Sequence, residues 1–119
     1  MKSFCTYLIL FIACGLNLNC STGQDTVSRR TELEKLMLQG EYLHDGALEL
    51  EHIGDINSVP ALLVVLKKNP PRAKGVMVCT TAHALITLRK ITGADAGVTY
   101  EDWSAWWEAH KAETSGSGQ

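Results

Sequence analysis

Apolar residues recur at every third or fourth position along most of the chain, a spacing that places them on one face of an α-helix. Segment 26–40 shows it at Leu33, Leu36 and Met37, and segment 41–54 continues it. Segments 55–69 and 76–93 follow the same period, and no segment keeps the period-two alternation of a β-strand. The pattern predicts an all-α fold of about five helices in antiparallel hairpins.

The segment "DINSVPALLVVLKKN", residues 55–69, contains the best defined of these helices. Asp55 or Asn57 can cap it, and Pro60 falls in the first turn, where its missing N–H is harmless. Val64 and Val65 extend the apolar surface around the cylinder. A helix that is apolar on most sides is enclosed by neighbours. We therefore expect helix 56–68 to be the centre of the core.

The segment "VTYEDWSAWWEAHK", residues 98–111, places three tryptophans within five positions. Thr99 is a good N-cap and Asp102 completes a pair like a capping box, so a helix begins at about Tyr100. One arc of about 120° then holds the aromatic residues of this helix: Tyr100, Trp103, Trp106, Trp107 and His110. We expect this helix to cap the fold by packing on helix 76–92.

Burial is expected to differ among the three indoles. Trp103 and Trp107 are predicted to be buried in the interface with the neighbouring helix. Trp106 lies at the edge of the arc and is predicted to be partly exposed. Together with His110 it forms the predicted partner contact.

The first twenty residues differ from the rest of the chain. Lys2 precedes "FCTYLILFIA", an unbroken apolar run over residues 4–13. Ten residues are too few to span a bilayer, which takes roughly 20, but they are typical of a secretory signal. The predicted organisation is a signal peptide at 1–20, a polar tether at 21–25, a helical domain at 26–113 and a flexible tail at 114–119.

The signal leaves several cleavage sites open. Ala13 before Cys14 resembles a lipoprotein signal, and Cys20 before Ser21 gives a more usual signal length. Ordinary cleavage after Gly15 or Gly23 is the alternative. Each route predicts export to the periplasm or cell envelope, either lipid-anchored through Cys20 or Cys14 or secreted.

Charge and cysteine content narrow the function classes. The chain has 11 Lys and Arg against 13 Asp and Glu, without a run of like charges. Nucleic acids and anionic membrane surfaces are therefore not favoured as partners. Cys79 is the single cysteine of the predicted domain, so an internal disulfide is excluded and the core alone must stabilise the fold.

The segments "IGDINSVPALLVVLKKN" and "VCTTAHALITLRKITG" together resemble a HEAT repeat, of the HEAT-like type also found in phycobilisome lyases. The likeness is carried by Gly54 and Asp55 at the turn, by Val59-Pro60 at the helix start, and by the small or apolar positions Leu62, Leu63, Leu66, Ala82, Ala84 and Leu85. It covers about 53–93, with a fainter half-repeat before it. The resemblance implies a short α-solenoid of about one and a half repeats that binds proteins or acts as a scaffold.

Cys79 and His83, four apart on one helix, are the main candidates for chemistry. The sequence offers no third metal ligand near them, since His44, His52 and His110 are scattered. A nucleophile–base pair oriented by Asp95 lacks an activating motif. We therefore expect packing roles for both residues, with no metal, no cofactor and no catalysis.

Two function classes remain. The first is an exported, non-catalytic module that binds a protein partner. The alternative is a carrier that holds a small ligand or pigment in the solenoid groove. A carrier needs an apolar pocket of roughly 300 Å³ or more, and so short a chain has little apolar surface left for one after its core is packed. The binding module is the expected function.

Overall fold

The computed structural model describes residues 21–72 and 75–116, which form five α-helices. These are α1 (Ser21–Leu38), α2 (Leu43–Ile53), α3 (Val59–Lys68), α4 (Cys79–Thr92) and α5 (Tyr100–Gly116), with a 3₁₀ turn at Ile56–Ser58 leading into α3. The described residues contain no strand, so the all-helical prediction is confirmed. The predicted signal at 1–20, with Cys14 and Cys20, lies outside the described residues.

Two helices extend further than the sequence suggested. Because α1 begins at Ser21, residues 21–25, assigned to a polar tether, are helical. Because α5 continues to Gly116, the first residues of the predicted tail are helical as well. Within 21–72 and 75–116, no helix has the length and hydropathy needed to cross a membrane.

The turn before α3 is closed by side chains. The Asp55 carboxylate accepts a hydrogen bond from the Asn57 amide at 2.9 Å, and the Ser58 hydroxyl accepts one from the Asp55 amide at 3.1 Å. This reciprocal pair is a capping box. Pro60 follows in the first turn of α3, as its missing N–H permits.

The principal contacts join each helix to the next or the next but one along the chain. α1, α3 and α5 form one row, while α2 and α4 form a second row with the most extensive interface in the fold. α3 contacts the other four helices. The prediction that this helix is enclosed is therefore confirmed.

One core takes buried apolar side chains from all five helices. α3 supplies six of them, Val59, Ala61, Leu62, Leu63, Val65 and Leu66; the others are Leu33, Met37, Ala47, Leu50, Ala84, Leu85, Leu88 and Trp103. The buried hydroxyls are all hydrogen-bonded, as the low dielectric of a core demands. The Thr87 hydroxyl, for example, donates to the Ala47 carbonyl at 3.1 Å and links α4 to α2.

Ion pairs join α1 to the second row and to the turn before α3. The Arg29 guanidinium donates two hydrogen bonds to the Glu49 carboxylate, at 2.6 and 2.9 Å. Arg30 reaches Asp55 at 3.2 Å. The bond from Arg29 lowers the pKa of Glu49 and raises that of Arg29, because each charge stabilises the other.

Candidate functional site

The start of α5 is fixed by the loop that precedes it. The Thr99 hydroxyl accepts a hydrogen bond from the Asp102 amide at 3.2 Å, which caps the helix at the predicted residue. Trp103 is fully buried, and its indole N–H donates to the Gly97 carbonyl at 3.0 Å. The predictions of a helix from Tyr100 and of a buried Trp103 are both confirmed.

α5 packs chiefly on α3, whereas the sequence suggested the helix at 76–92, which is α4. Contact with this single helix buries only the central line of the aromatic arc, where Trp103 lies. Trp106 and Trp107 flank that line and are partly buried against the core. Trp106 is thus partly exposed, as predicted, but the prediction that Trp107 is buried was wrong.

Trp106 and His110 form a stacked pair on α5. Their ring centroids are 4.3 Å apart, and the ring planes differ by 13°. His110 Nδ1 lies 2.7 Å from the Trp106 carbonyl, so this nitrogen carries the proton and donates it. Trp106 also meets Trp103 edge to face, with centroids 5.9 Å apart. The residues predicted to contact a partner therefore form one stacked, partly exposed aromatic surface.

A small pocket lies where the end of α3 meets the start of α5. Its volume is about 200 Å³, and it is lined by Leu66, Lys67, Pro70, Pro71, Thr99, Tyr100 and Glu101. The Lys67 ammonium lies 5.7 Å from the centre of the Tyr100 ring, within the range of a cation–π contact. The volume is below the roughly 300 Å³ at which pockets for drug-sized ligands begin.

A cluster of side chains that could bind a metal lies between α2 and α4. The ligand atoms of His44, Cys79 and His83 all lie within 4.8 Å of one another. The Cys79 sulfur is 3.7 Å from His44 Nε2, and the two imidazole rings meet edge to face at 5.6 Å. His44 and Cys79 are exposed, and His83 is partly buried.

The structure brings His44 to the Cys79–His83 pair, where sequence reasoning expected no third ligand. His44 belongs to α2 and is 35 residues from Cys79. Only the α2–α4 interface makes them neighbours. The signal available in the sequence was the position of His44 near the start of α2. It indicates a third ligand only once α2 and α4 are known to pack side by side.

Asp95 does not join this cluster. Its carboxylate accepts a hydrogen bond from the Arg89 guanidinium at 3.0 Å, in the loop after α4. Cys79 is the first residue of that 14-residue helix, so the length of α4, roughly 20 Å, separates them. Asp95 therefore cannot act as the orienting carboxylate of the Cys79–His83 pair.

Comparison with protein-family models, curated proteins and solved structures gives no match to this chain. The functional inferences below therefore rest on its own residues.

Proposed function

We propose that this protein is an exported, non-catalytic, HEAT-like helical module that binds a protein partner through α5. The contact pattern supports the repeat interpretation, since helices in a solenoid pack on the adjacent helix and on the equivalent helix of the next hairpin. α1 with α2 and α3 with α4 are the two hairpins, and α5 covers the open side of α3. This arrangement is a short stack with an aromatic cap.

The observation that carries the binding role is the stacked pair of Trp106 and His110. An indole that packs partly on the core and remains partly exposed offers a large contact area at a small cost in side-chain entropy. Tryptophan is also enriched among the residues that dominate binding energy at protein interfaces. The bond from His110 to the Trp106 carbonyl holds the imidazole in place before any partner arrives.

The alternative, a carrier of a small ligand or pigment, has less support. The pocket between α3 and α5 is small, and a lysine, a glutamate and a threonine stand among its lining residues. An apolar pigment requires a larger and drier cavity. An absorbance spectrum of protein from its native source distinguishes the two functions, because a chromophore band would favour the carrier.

Partner capture tests the binding role. The full chain is cross-linked in the cell envelope fraction, and bound proteins are identified by mass spectrometry. Trp106→Ala and His110→Ala should lose a specific partner while keeping the helical circular dichroism. Glu108→Ala, an exposed change on the opposite side of α5, is the matched control and should retain it. Equal capture by Trp106→Ala and the unaltered chain would contradict the proposal.

Export is a separate part of the proposal and rests on Lys2 and the apolar run at 4–13. Mass spectrometry of the native protein should find no peptide N-terminal to Cys14. A lipid, if attached, should be on Cys20 or Cys14, and replacing both with Ser should release the protein from membranes. Recovery of a native protein that begins at Met1 or Lys2 would overturn export.

A further inference from the structure

We propose that His44, Cys79 and His83 form a zinc-binding site between α2 and α4. In tetrahedral zinc sites the metal lies about 2.0–2.1 Å from nitrogen and about 2.3 Å from sulfur, so neighbouring ligand atoms are roughly 3.3–3.6 Å apart. The Cys79 sulfur and His44 Nε2, at 3.7 Å, already have nearly this separation. All pairs lie within 4.8 Å, which small side-chain rotations bring into range.

Asp45 provides an independent observation. Its carboxylate lies 3.1 Å from His44 Nδ1, the ring nitrogen that faces away from Cys79. A proton on Nδ1 that is donated to this carboxylate leaves the lone pair on Nε2, directed towards the cysteine. Metal-bound histidines are usually oriented by a carboxylate or carbonyl in this way. Nε2 of His44 therefore has a free lone pair with which to bind a metal.

The three ligands belong to two helices that pack directly on each other. Cys79 and His83 are one helical turn apart on α4 and therefore project on the same side. α2 is fixed against α4 by their extensive buried interface and by the bond from Thr87 to Ala47. Binding therefore requires side-chain rotation and no movement of helices.

The donor set determines the class of metal. One thiolate and two imidazoles suit zinc and its borderline neighbours, whereas magnesium and calcium prefer oxygen ligands. Cys79 must lose its proton to bind, so loading should release a proton to solution. The site is at the surface and has three ligands among the described residues, so water would take the fourth tetrahedral position.

Cobalt and zinc titrations of the full chain test the site. The chain should carry no polyhistidine tag, and a thiol-free reductant should keep its cysteines reduced. Co²⁺ should bind one-to-one with a thiolate-to-cobalt charge-transfer band and the visible absorption of tetrahedral cobalt, and Zn²⁺ should displace it. A folded chain that shows no such band would overturn the proposal.

Variants show which residues bind the metal. Cys79→Ser should abolish the charge-transfer band. Asp45→Asn should lower the affinity for Zn²⁺ about 10- to 100-fold. His44→Ala should lower that affinity further. His52→Ala, an exposed histidine further along α2, should bind as the unaltered chain does. A chain with Cys5, Cys14 and Cys20 replaced by Ser should keep the band.

Circular dichroism of each variant shows whether its helices are intact. His44 and Cys79 are exposed and His83 is partly buried, so their replacement should leave the fold unchanged. Unaltered Zn²⁺ affinity in a folded Cys79→Ser or His44→Ala chain would overturn the site. Partner capture by α5 is measured separately, so failure of the metal site leaves the proposed binding role unaffected.

Discussion

The indole N–H of Trp103 donates a hydrogen bond of 3.0 Å to the backbone carbonyl of Gly97, six residues earlier. The same carbonyl is also reached by the Arg89 guanidinium at 3.4 Å. Gly97 has φ of 130°, a backbone conformation that favours glycine. The first turn of α5 is therefore tied to the end of α4 through the Gly97 carbonyl, in addition to the packing of α5 on α3.

Removing that ring should strongly destabilise the domain. Trp103→Ala is expected to lower the free energy of unfolding by about 3–5 kcal/mol, because it leaves a large cavity between α5 and α3. Trp107→Ala should cost less, since Trp107 is only partly buried. Urea denaturation followed by circular dichroism measures both. Truncation after Gly97 should give an unfolded or aggregated chain, and a truncated chain that stays folded would show that α5 is not a structural cap.

Leucine truncations in α3 should be among the most costly in the domain. Leu62 is fully buried, and Leu63 is 8% exposed. Both changes to Ala should lower the free energy of unfolding by about 2–5 kcal/mol, with Leu62→Ala the larger. Ile86→Ala, on the exposed side of α4, is the control and should change it by no more than about 0.5 kcal/mol. If Leu62→Ala is as mild as Ile86→Ala in urea denaturation, α3 is not enclosed.

Gly46 allows α1 and α2 to approach closely. A Cβ atom at this position would lie 2.5 Å from the Met37 sulfur and 2.9 Å from Met37 Cγ, and Met37 is fully buried. Gly46→Ala should therefore destabilise the protein by about 1–2 kcal/mol, even though alanine is the better helix former by about 1 kcal/mol.

Gly23→Ala is the matched control for this prediction. Gly23 lies in the exposed first turn of α1, where an added Cβ would meet nothing within 4 Å. This variant should be neutral or slightly more stable. Thermal melts measure the stability of both variants. An increase in stability for Gly46→Ala would show that α1 can move away from α2.

The Arg29–Glu49 pair should make stability depend on pH in the acid range. The pKa of Glu49 is lower in the folded protein than its ordinary value of about 4.3. The stabilisation that the ion pair gives the folded protein is therefore fully present above that value. The contribution is lost as the pH falls through the lower folded pKa. Glu49→Gln should flatten this part of the curve of unfolding free energy against pH.

Glu41→Gln removes the same charge from an exposed side chain that has no ion pair among the described residues. It should leave the slope of the acid limb close to that of the unaltered protein. Urea denaturation at a series of pH values from neutral to about 3 gives both curves. Equal slopes for Glu49→Gln and the unaltered chain would show that the ion pair does not persist in solution.

The sequence by itself determined the five helices and several of their ends, but neither the start of α1 nor the end of α5. Leu33 and Met37 recur at helical spacing, Asp55 and Thr99 accept bonds from amides two or three residues on, and Gly93 ends α4 with φ of 69°. All of these interactions lie within about four residues along the chain. Local spacing and capping chemistry are therefore sufficient to predict them.

The tertiary structure alone decided which helices are neighbours. It therefore also decided which side chains come together at the candidate sites. The aromatic arc of α5 was evident in the sequence, but packing on α3 determined that Trp107 would remain partly exposed. His44 and Cys79 are separated by 35 residues, and only the α2–α4 interface places them 3.7 Å apart. Contacts of this kind depend on how whole helices pack, because helical spacing shows which face of a helix is covered but not which partner covers it.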